Sequence, residues 1–273
     1  MKPIQRVMTA AVVVSLSLSA TAFAAEPDEH PLNREQRDRL QEAFQERVEQ
    51  LSKTIDAAPS VGAYSQRGDA YFFLGDFDRA LADYEKMVEL NPDTGASHWR
   101  RGIARFYARK YPEAAKQFEE YHSFDNVDRE NGIWRYLSQH RAYGVEKARE
   151  GLLKYEKDDR EPFPAVYQLF AGRLTPQQIE KQIADAQIDD EERSKREFYT
   201  HLYIGLNHAV EGRDAEAIKH LRKSTANTWG PKAGYGPNYM WHVGRLHYDL
   251  LLAEKNAVRE AEGSKPVTQN PQD

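Results

Sequence analysis

A chain of 273 residues, 40% hydrophobic and 11% aromatic, can bury a core as one domain or two small ones. Its 43 acidic and 38 basic side chains give a net charge of −5, without the clustered positive charge that nucleic acid or anionic lipid demands. Cysteine is absent, so there is no disulfide framework and no cysteine-borne lipid anchor, and the fold must hold by packing.

The first stretch, MKPIQRVMTAAVVVSLSLSATAFAAEP, sets Lys2 and Arg6 before an apolar run and then Ala22-Phe23-Ala24. A charged start, a hydrophobic middle and a small-x-small site read as a signal peptide over 1–24, cleaved after Ala24. The alternative, an uncleaved anchor helix, has an apolar run shorter than the ~20 residues a membrane span takes. Losing Lys2 and Arg6 leaves 36 basic against 43 acidic residues, a net of −7. The expectation is a soluble periplasmic or secreted protein with no lipid anchor. Residues 25–60 form a linker and an amphipathic helix, with Leu40, Phe44, Val48, Leu51 and Ile55 on one stripe. That stripe either caps the array behind it or pairs with a second copy in a homodimer.

Gly68, Ala80 and Tyr84 recur 34 residues on as Gly102, Ala114 and Phe118, and once more as Gly205, Ala217 and Leu221. A period of this size marks helical-pair repeats. Gly68 facing Ala80 would let two antiparallel helices approach closely, with Tyr71, Tyr84 and Met87 filling the layer around them. Leu74-Gly75-Asp76 supplies the turn, and Pro92 stops the second helix. Arg67-Gly68-Asp69 therefore sits mid-helix rather than in an extended adhesion loop. Well-formed pairs occupy 61–128, and a further one 198–227. Gly102 and Gly205 are 103 apart, near three periods, so 129–197 should hold two degenerate pairs. In the first, NGIWRYLSQHRAYGVEKAREGLLKY, Tyr136 replaces the small crossing residue and Ala148 and Leu152 lie on the second helix. The other comprises PAVYQLFAGRL and TPQQIEKQIADA, where Thr175, Pro176 and Gln178 make a capped helix start.

After the last pair, TWGPKAGYGPNYMW carries Trp229, Tyr235, Tyr239 and Trp241 among glycines and prolines. Aromatics on such a loop suit stacking on a sugar ring, peptidoglycan included; alternatively they tuck against the last helix pair. A closing helix starts at Pro237, with Val243, Leu246, Leu250 and Ala253 on one side, and 263–273 reads as a disordered tail.

Catalytic chemistry finds no residues here: no cysteine nucleophile, no G-x-S-x-G elbow, no phosphate-cradling glycine loop and no H-E-x-x-H helix. His201 and His208 share a helix face without an acidic residue at matching spacing. His242 and His247 stand roughly 140° apart around a helix, so no metal site is assigned. Asp189-Asp190-Glu191-Glu192 reads as a solvated run that complements a helix dipole. The expectation is a non-enzyme without a cofactor.

The set Gly68, Tyr71, Ala80, Tyr84 and Pro92 within 61–94 resembles the tetratricopeptide repeat (TPR) family. The next copy departs at Arg105, where an aromatic is usual, and lacks the closing proline; the late copy departs at His208. The resemblance implies an all-α solenoid of about five repeats, two of them degenerate, with a concave groove lined by the first helix of each pair. It implies that Ser65, Asp69, Phe72, Phe73, Trp99, Ile103, Phe106 and Tyr107 face a protein or peptide partner, unless the N-terminal helix already fills the groove. The basic and asparagine set with which chaperone-linked TPR domains clamp a C-terminal carboxylate is missing, since Ser65, Asp69, Ile103, Glu130 and Trp134 stand there.

The order of elements is also similar to the NlpI-type periplasmic TPR lipoproteins, through WRRGIARFYARKYPEAAKQFEEYHSFD, IWRYLSQHRA and FYTHLYIGLNHAVEGRDAEAIKHLRKST. That family implies an adaptor that brings cell-wall hydrolases and a processing protease together. Its anchoring cysteine is absent here. The function expected is an exported, non-catalytic scaffold or adaptor in the cell envelope, the alternative a glycan- or peptidoglycan-binding module.

Overall fold

Helix starts in this chain are set by side chains that satisfy the first free backbone N–H groups. In the computed structural model, which describes residues 30–157 and 159–263, Asn33 and Gln36 exchange side-chain to backbone hydrogen bonds of 2.9 Å and open α1, Arg34–Ala57. Ser60 caps α2, Val61–Phe73, and Asp76 caps α3, Phe77–Leu90. Gly75 takes a φ of +80° in the turn between them, a conformation that side chains other than glycine avoid. Pro92 follows the end of α3 and starts a single 3-10 turn. The second hairpin is α4, Trp99–Tyr107, with α5, Tyr111–Phe124. His98 caps α4 by accepting from the Arg101 N–H at 3.2 Å; burial, aided by Arg100 and Arg101, lowers its pKa to about 3 and keeps the ring neutral. The signal peptide over 1–24, its cleavage site and the tail beyond residue 263 lie outside the described residues.

Each repeat glycine lies under the side chain sixteen residues on. A Cβ at Gly68 would stand 2.7 Å from the Tyr84 ring, one at Gly102 2.6 Å from Phe118, and one at Gly205 2.7 Å from Leu221. The sequence reading set Gly68 against Ala80; in the structure the glycine makes room for the large side chain, while Ala80 is itself fully buried. Arg67 is held by Asp83 through bonds of 2.9 and 2.8 Å and by Ser52 at 3.0 Å, so Arg67-Gly68-Asp69 is helix interior, committed within the chain. The departure at Arg105 is a polar joint: Arg105 and Arg101 reach Glu85 at 2.7 and 3.2 Å, binding α4 to the preceding hairpin.

The degenerate region follows the same plan with shorter pieces. Helix α6, Arg129–Tyr143, is followed by α7, Val145–Glu150, which ends before Leu152 rather than carrying it. The chain beyond is pinned in irregular form, because Arg135 donates to the Gly151 carbonyl and the Tyr167 hydroxyl to that of Leu153. Tyr136 packs edge-on against Phe170 of α8, Phe163–Phe170, at 5.1 Å. Helix α9, Pro176–Asp185, opens on the reciprocal bonds of Thr175 and Gln178. Asp189 caps α10, Asp190–Val210, and Glu192 in its first turn pairs with Lys195 and Arg196. Helix α11, Asp214–Ala226, completes that hairpin.

After a short 3-10 turn at Gly230–Lys232, α12 runs over Tyr235–Gly263, starting two residues before Pro237. At 29 residues it is about 43 Å long. It packs chiefly along α11 and reaches the first helices of other hairpins through side chains, meeting α2 and α4 and passing close to α10 at Gly244. The stripe of α1 is spent inside the chain: Leu51 and Ile55 are buried, and Phe44 meets Phe73 at 5.1 Å and His242 at 5.2 Å. Of the two roles expected for this stripe, the structure shows the covering one, with Leu40, Phe44 and Val48 half-buried along the same face. Among the described residues no helix is long and apolar enough to cross a membrane.

Candidate functional site

The inner face of the first helices is where a partner was expected, and α12 occupies most of it. Phe72 and Ile103 have no exposed surface, Phe73, Phe106 and Asp69 are buried, and Trp99 and Tyr107 are half-buried. Tyr239 stacks on Phe72 with centroids 5.2 Å apart and meets Trp99 edge-on at 4.9 Å. His242 stacks on Phe73 at 4.2 Å, and the Tyr107 hydroxyl meets His247 Nδ1 at 3.0 Å. Phe106 is turned toward Trp134 and Tyr111. The expectation of an open groove is therefore corrected: the C-terminal helix covers most of these rings, and the N-terminal helix reaches Phe73 through Phe44. Apolar rings gain by leaving water whoever covers them, and this chain supplies its own cover.

Polar groups lock the cover in place. Asp69 accepts from the Tyr84 hydroxyl at 2.7 Å, from Arg100 at 2.6 Å and from the Tyr235 hydroxyl at 2.6 Å. Burial works most strongly against the charge on Arg100, but Asp69 together with Tyr235, Tyr84 and Tyr239 outweighs it, and the guanidinium is held more firmly charged than usual. Burial raises Tyr84 and Tyr239 well above the ordinary phenol range, so both stay neutral donors. At the far end, Arg245 donates at 2.8 Å to the carbonyl of Phe73, one of the free acceptors at the end of α2. Asp249 pairs with Arg245 at 3.2 Å and with His30 at 2.8 Å.

The predicted aromatic loop is corrected as well. Tyr239 and Trp241 belong to α12 and are buried, Trp241 donating to the Thr225 carbonyl at 3.0 Å. Tyr235 is exposed with its hydroxyl tied to Asp69, and Trp229 is half-buried against Phe198 and Tyr199 at 5.9 Å each. The four rings form no shared platform for a sugar.

A cleft of about 320 Å³ opens beside the first turns of α12. Trp99 and Ile103 line it from α4, Trp134 from α6, Tyr199 from α10, Trp229 from the turn, and Met240 from α12. Asp128, Glu130 and Arg160 face the same space. Arg160 reaches Glu130 at 2.6 Å and both Asp128 and Asp159 at 3.3 Å, while the Tyr203 hydroxyl also donates to Glu130. Three carboxylates thus share one guanidinium. Lys195, at the margin, is paired with Glu192. The cleft joins members of both predicted sets, Trp99 and Ile103 of the groove and Trp229 of the loop, with residues the sequence reading did not assign to it. Glu130 and Trp134 stood at first-helix positions that could have flagged them. Arg160 lies in the irregular stretch before α8, where no periodicity speaks for it.

Burial pushes the Glu130 carboxyl up to about 7 from its ordinary 4.5, against the pull of Arg160 and with the push of Asp128. The folded state thus holds this proton more tightly than the unfolded one. Its contribution to stability is full below pH 4.5 and is lost as pH rises through about 7. Glu130→Gln, fixed neutral, is expected to gain on the wild type between pH 5 and pH 8 by on the order of 1–3 kcal/mol. Urea unfolding at the two pH values checks this; an equal difference at both would contradict it.

Helical hairpins packed with their own C-terminal helix, with an aromatic cleft left beside its first turns, define an all-α solenoid of the TPR type. Residues 61–94 match the tetratricopeptide repeat family, so the chain carries a TPR where the glycine lies under Tyr84. It is similar to the Protein SGT1 homolog of Bos taurus, 30% identical over 88 residues, which is 32% of this chain and 26% of that protein. It is also similar to Hsp70-Hsp90 organizing protein 3 of Arabidopsis thaliana, 30% identical over 120 residues, 43% of this chain and 21% of that one. The chain spans about a quarter or less of the length of these curated relatives.

Proposed function

We propose that the protein is an exported, non-catalytic scaffold of the cell envelope that holds a segment of a protein partner in the cleft beside α12. The cleft carries this reading: three tryptophans and two tyrosines from separate parts of the array line it beside the Asp128, Glu130 and Arg160 group. Such walls suit an apolar side chain next to a lysine or arginine, through buried ring contact and cation–π attraction. The TPR match supports a protein-interaction role, and one relative is named as an organizing protein. Export rests on the N-terminal pattern ending at Ala24. The finer likeness to NlpI-type periplasmic adaptors rests on the order of elements and makes cell-wall hydrolases and envelope proteases the partners to try first. Peptidoglycan, the other reading, lacks an aromatic platform among the described residues.

A displayed library of random peptides, selected on the chain from Ala25, tests the cleft. Enriched peptides are expected to carry an aromatic or long aliphatic residue beside Lys or Arg. The double variant Trp99→Ala, Trp229→Ala is expected to weaken them by about 2–4 kcal/mol. Peptides that bind wild type and variant alike would remove the cleft from consideration. Intact mass of the protein from an envelope fraction checks export, and a chain retaining residues 1–24 would contradict it.

A further inference from the structure

Helices α9, α10 and α11 meet at a cluster separate from the partner cleft. Glu180, His201 and His220, one from each, bring a carboxylate oxygen and two ring nitrogens within 4.8 Å of one another. The Nδ1 atoms of the two histidines are 3.1 Å apart, and Glu180 Oε1 stands 3.7 Å from His201 Nδ1. Two neutral imidazoles meeting through the same nitrogen can bond only if one presents a proton and the other a lone pair; a divalent cation would take a lone pair from each. Zinc–nitrogen bonds of about 2.0–2.1 Å at a tetrahedral angle set two nitrogens about 3.3 Å apart. The histidine pair is within a few tenths of an ångström of that separation, and the carboxylate, 3.7 Å from His201 Nδ1, would move closer to complete the set.

The surroundings agree with a ligand role. Burial, with Lys223 and His220 adding to it, lowers His201 to about 3, and burial lowers His220 as well, so both rings are in the neutral form that binds metals. His220 is buried, while the Glu180 side chain keeps 34% of its surface exposed and leaves a way in from solvent. His208, the histidine that shares a face with His201, is not part of the set, because its Nδ1 accepts from Arg213 Nε at 2.7 Å. Lys223 lies 3.4 Å from Glu180 Oε1, with half of its side chain in water, and competes with a cation for that oxygen.

The geometry points to a site for one divalent transition-metal ion of the zinc class, held by Glu180, His201 and His220 with its remaining position open to water. Two nitrogen donors favour zinc, cobalt or nickel over calcium and magnesium, which prefer all-oxygen shells. A bound ion would tie α9 to the α10–α11 hairpin and stiffen the junction between the degenerate region and the last repeat.

Titration of the untagged full chain with Co²⁺ and with Zn²⁺ tests the site. One equivalent of Co²⁺ is expected to bind with visible absorption of a four- or five-coordinate ion and to be displaced by Zn²⁺. Zn²⁺ at a hundredfold excess over Kd is expected to raise the melting temperature by about 5 °C or more. Losing the partners that orient metal ligands costs about 10–100-fold in affinity, so His201→Gln, which removes a ligand itself, is expected to weaken binding at least about 100-fold and Glu180→Gln at least about 10-fold. Glu180→Gln sits at the half-exposed edge and keeps the test valid if His201→Gln fails to fold. Lys223→Gln is expected to tighten binding severalfold by removing the competing charge. No stoichiometric ion, or equal binding in wild type and Glu180→Gln, would overturn the site and assign any bound metal to other histidines.

Discussion

Tyr239→Ala is expected to lower the stability of the folded chain by about 3–5 kcal/mol, the range for deleting a fully buried aromatic ring. The ring has no exposed surface and touches Phe72, Phe73 and Trp99 at centroid distances of 5.2, 5.1 and 4.9 Å. Its hydroxyl lies 3.2 Å from that of Tyr84, which in turn holds Asp69. Alanine would leave a cavity in the middle of the α12 contact and remove one member of that polar chain. The loss should appear as a lower urea midpoint with little change in native helical content. Had the inner face been an open groove, the same change would leave the midpoint nearly where it was. A midpoint within experimental error of wild type would mean that α12 is not seated in solution. The prediction also bears on partner access. A segment using Phe72 or Phe73 must first displace α12, and its apparent affinity falls by the fraction of molecules in which α12 is out. The cleft at Trp99 and Trp229 carries no such penalty.

The hairpins were legible because their information is local. A glycine, an alanine and a large side chain at steps of twelve and four, repeated at 34 residues, report a crossing that the chain completes within one repeat. The cap at Thr175 was read for the same reason, since it acts over three residues; Asn33, Asp76 and Asp189 cap helices in the same way without having been singled out. The position of α12 was not legible, because Tyr235 and Asp69 are 166 residues apart and Arg245 and Phe73 are 172 apart. Nothing in the pattern of a helix says which other helix will cover it. The aromatic inner face suits an external helix and an internal one equally, so Phe72, Phe73 and Phe106 were read as contact residues when they are core. The histidine and glutamate cluster escaped for a related reason. Spacing along one helix singled out His201 with His208, whereas the residues that converge come from three helices.

Gly68→Ala is expected to destabilise the fold by about 1–3 kcal/mol, and Gly68→Leu by about 3 kcal/mol or more. Helix propensity alone argues the other way, since alanine is favoured over glycine in a helix by about 1 kcal/mol. Sterics decide the sign. A Cβ at Gly68 would stand 2.7 and 2.9 Å from two atoms of the Tyr84 ring and 3.3 Å from Asp83 Cβ. The ring cannot turn away cheaply, because it is fully buried and its hydroxyl is fixed by Asp69 and Tyr239. Any shift of Tyr84 is therefore passed to the α12 contact as well as to the α2–α3 crossing. Gly62, in the first turn of the same helix, is the internal control: it is exposed and a Cβ there meets nothing within 4 Å. Gly62→Ala is expected to be neutral or to stabilise by up to about 1 kcal/mol, through propensity and a less disordered unfolded chain. Thermal melts of the three variants thus separate packing from propensity within one helix. If Gly68→Ala melts at or above the wild type, the hairpin can spread at no cost, and a steric role for the repeated glycines at Gly68, Gly102 and Gly205 is ruled out.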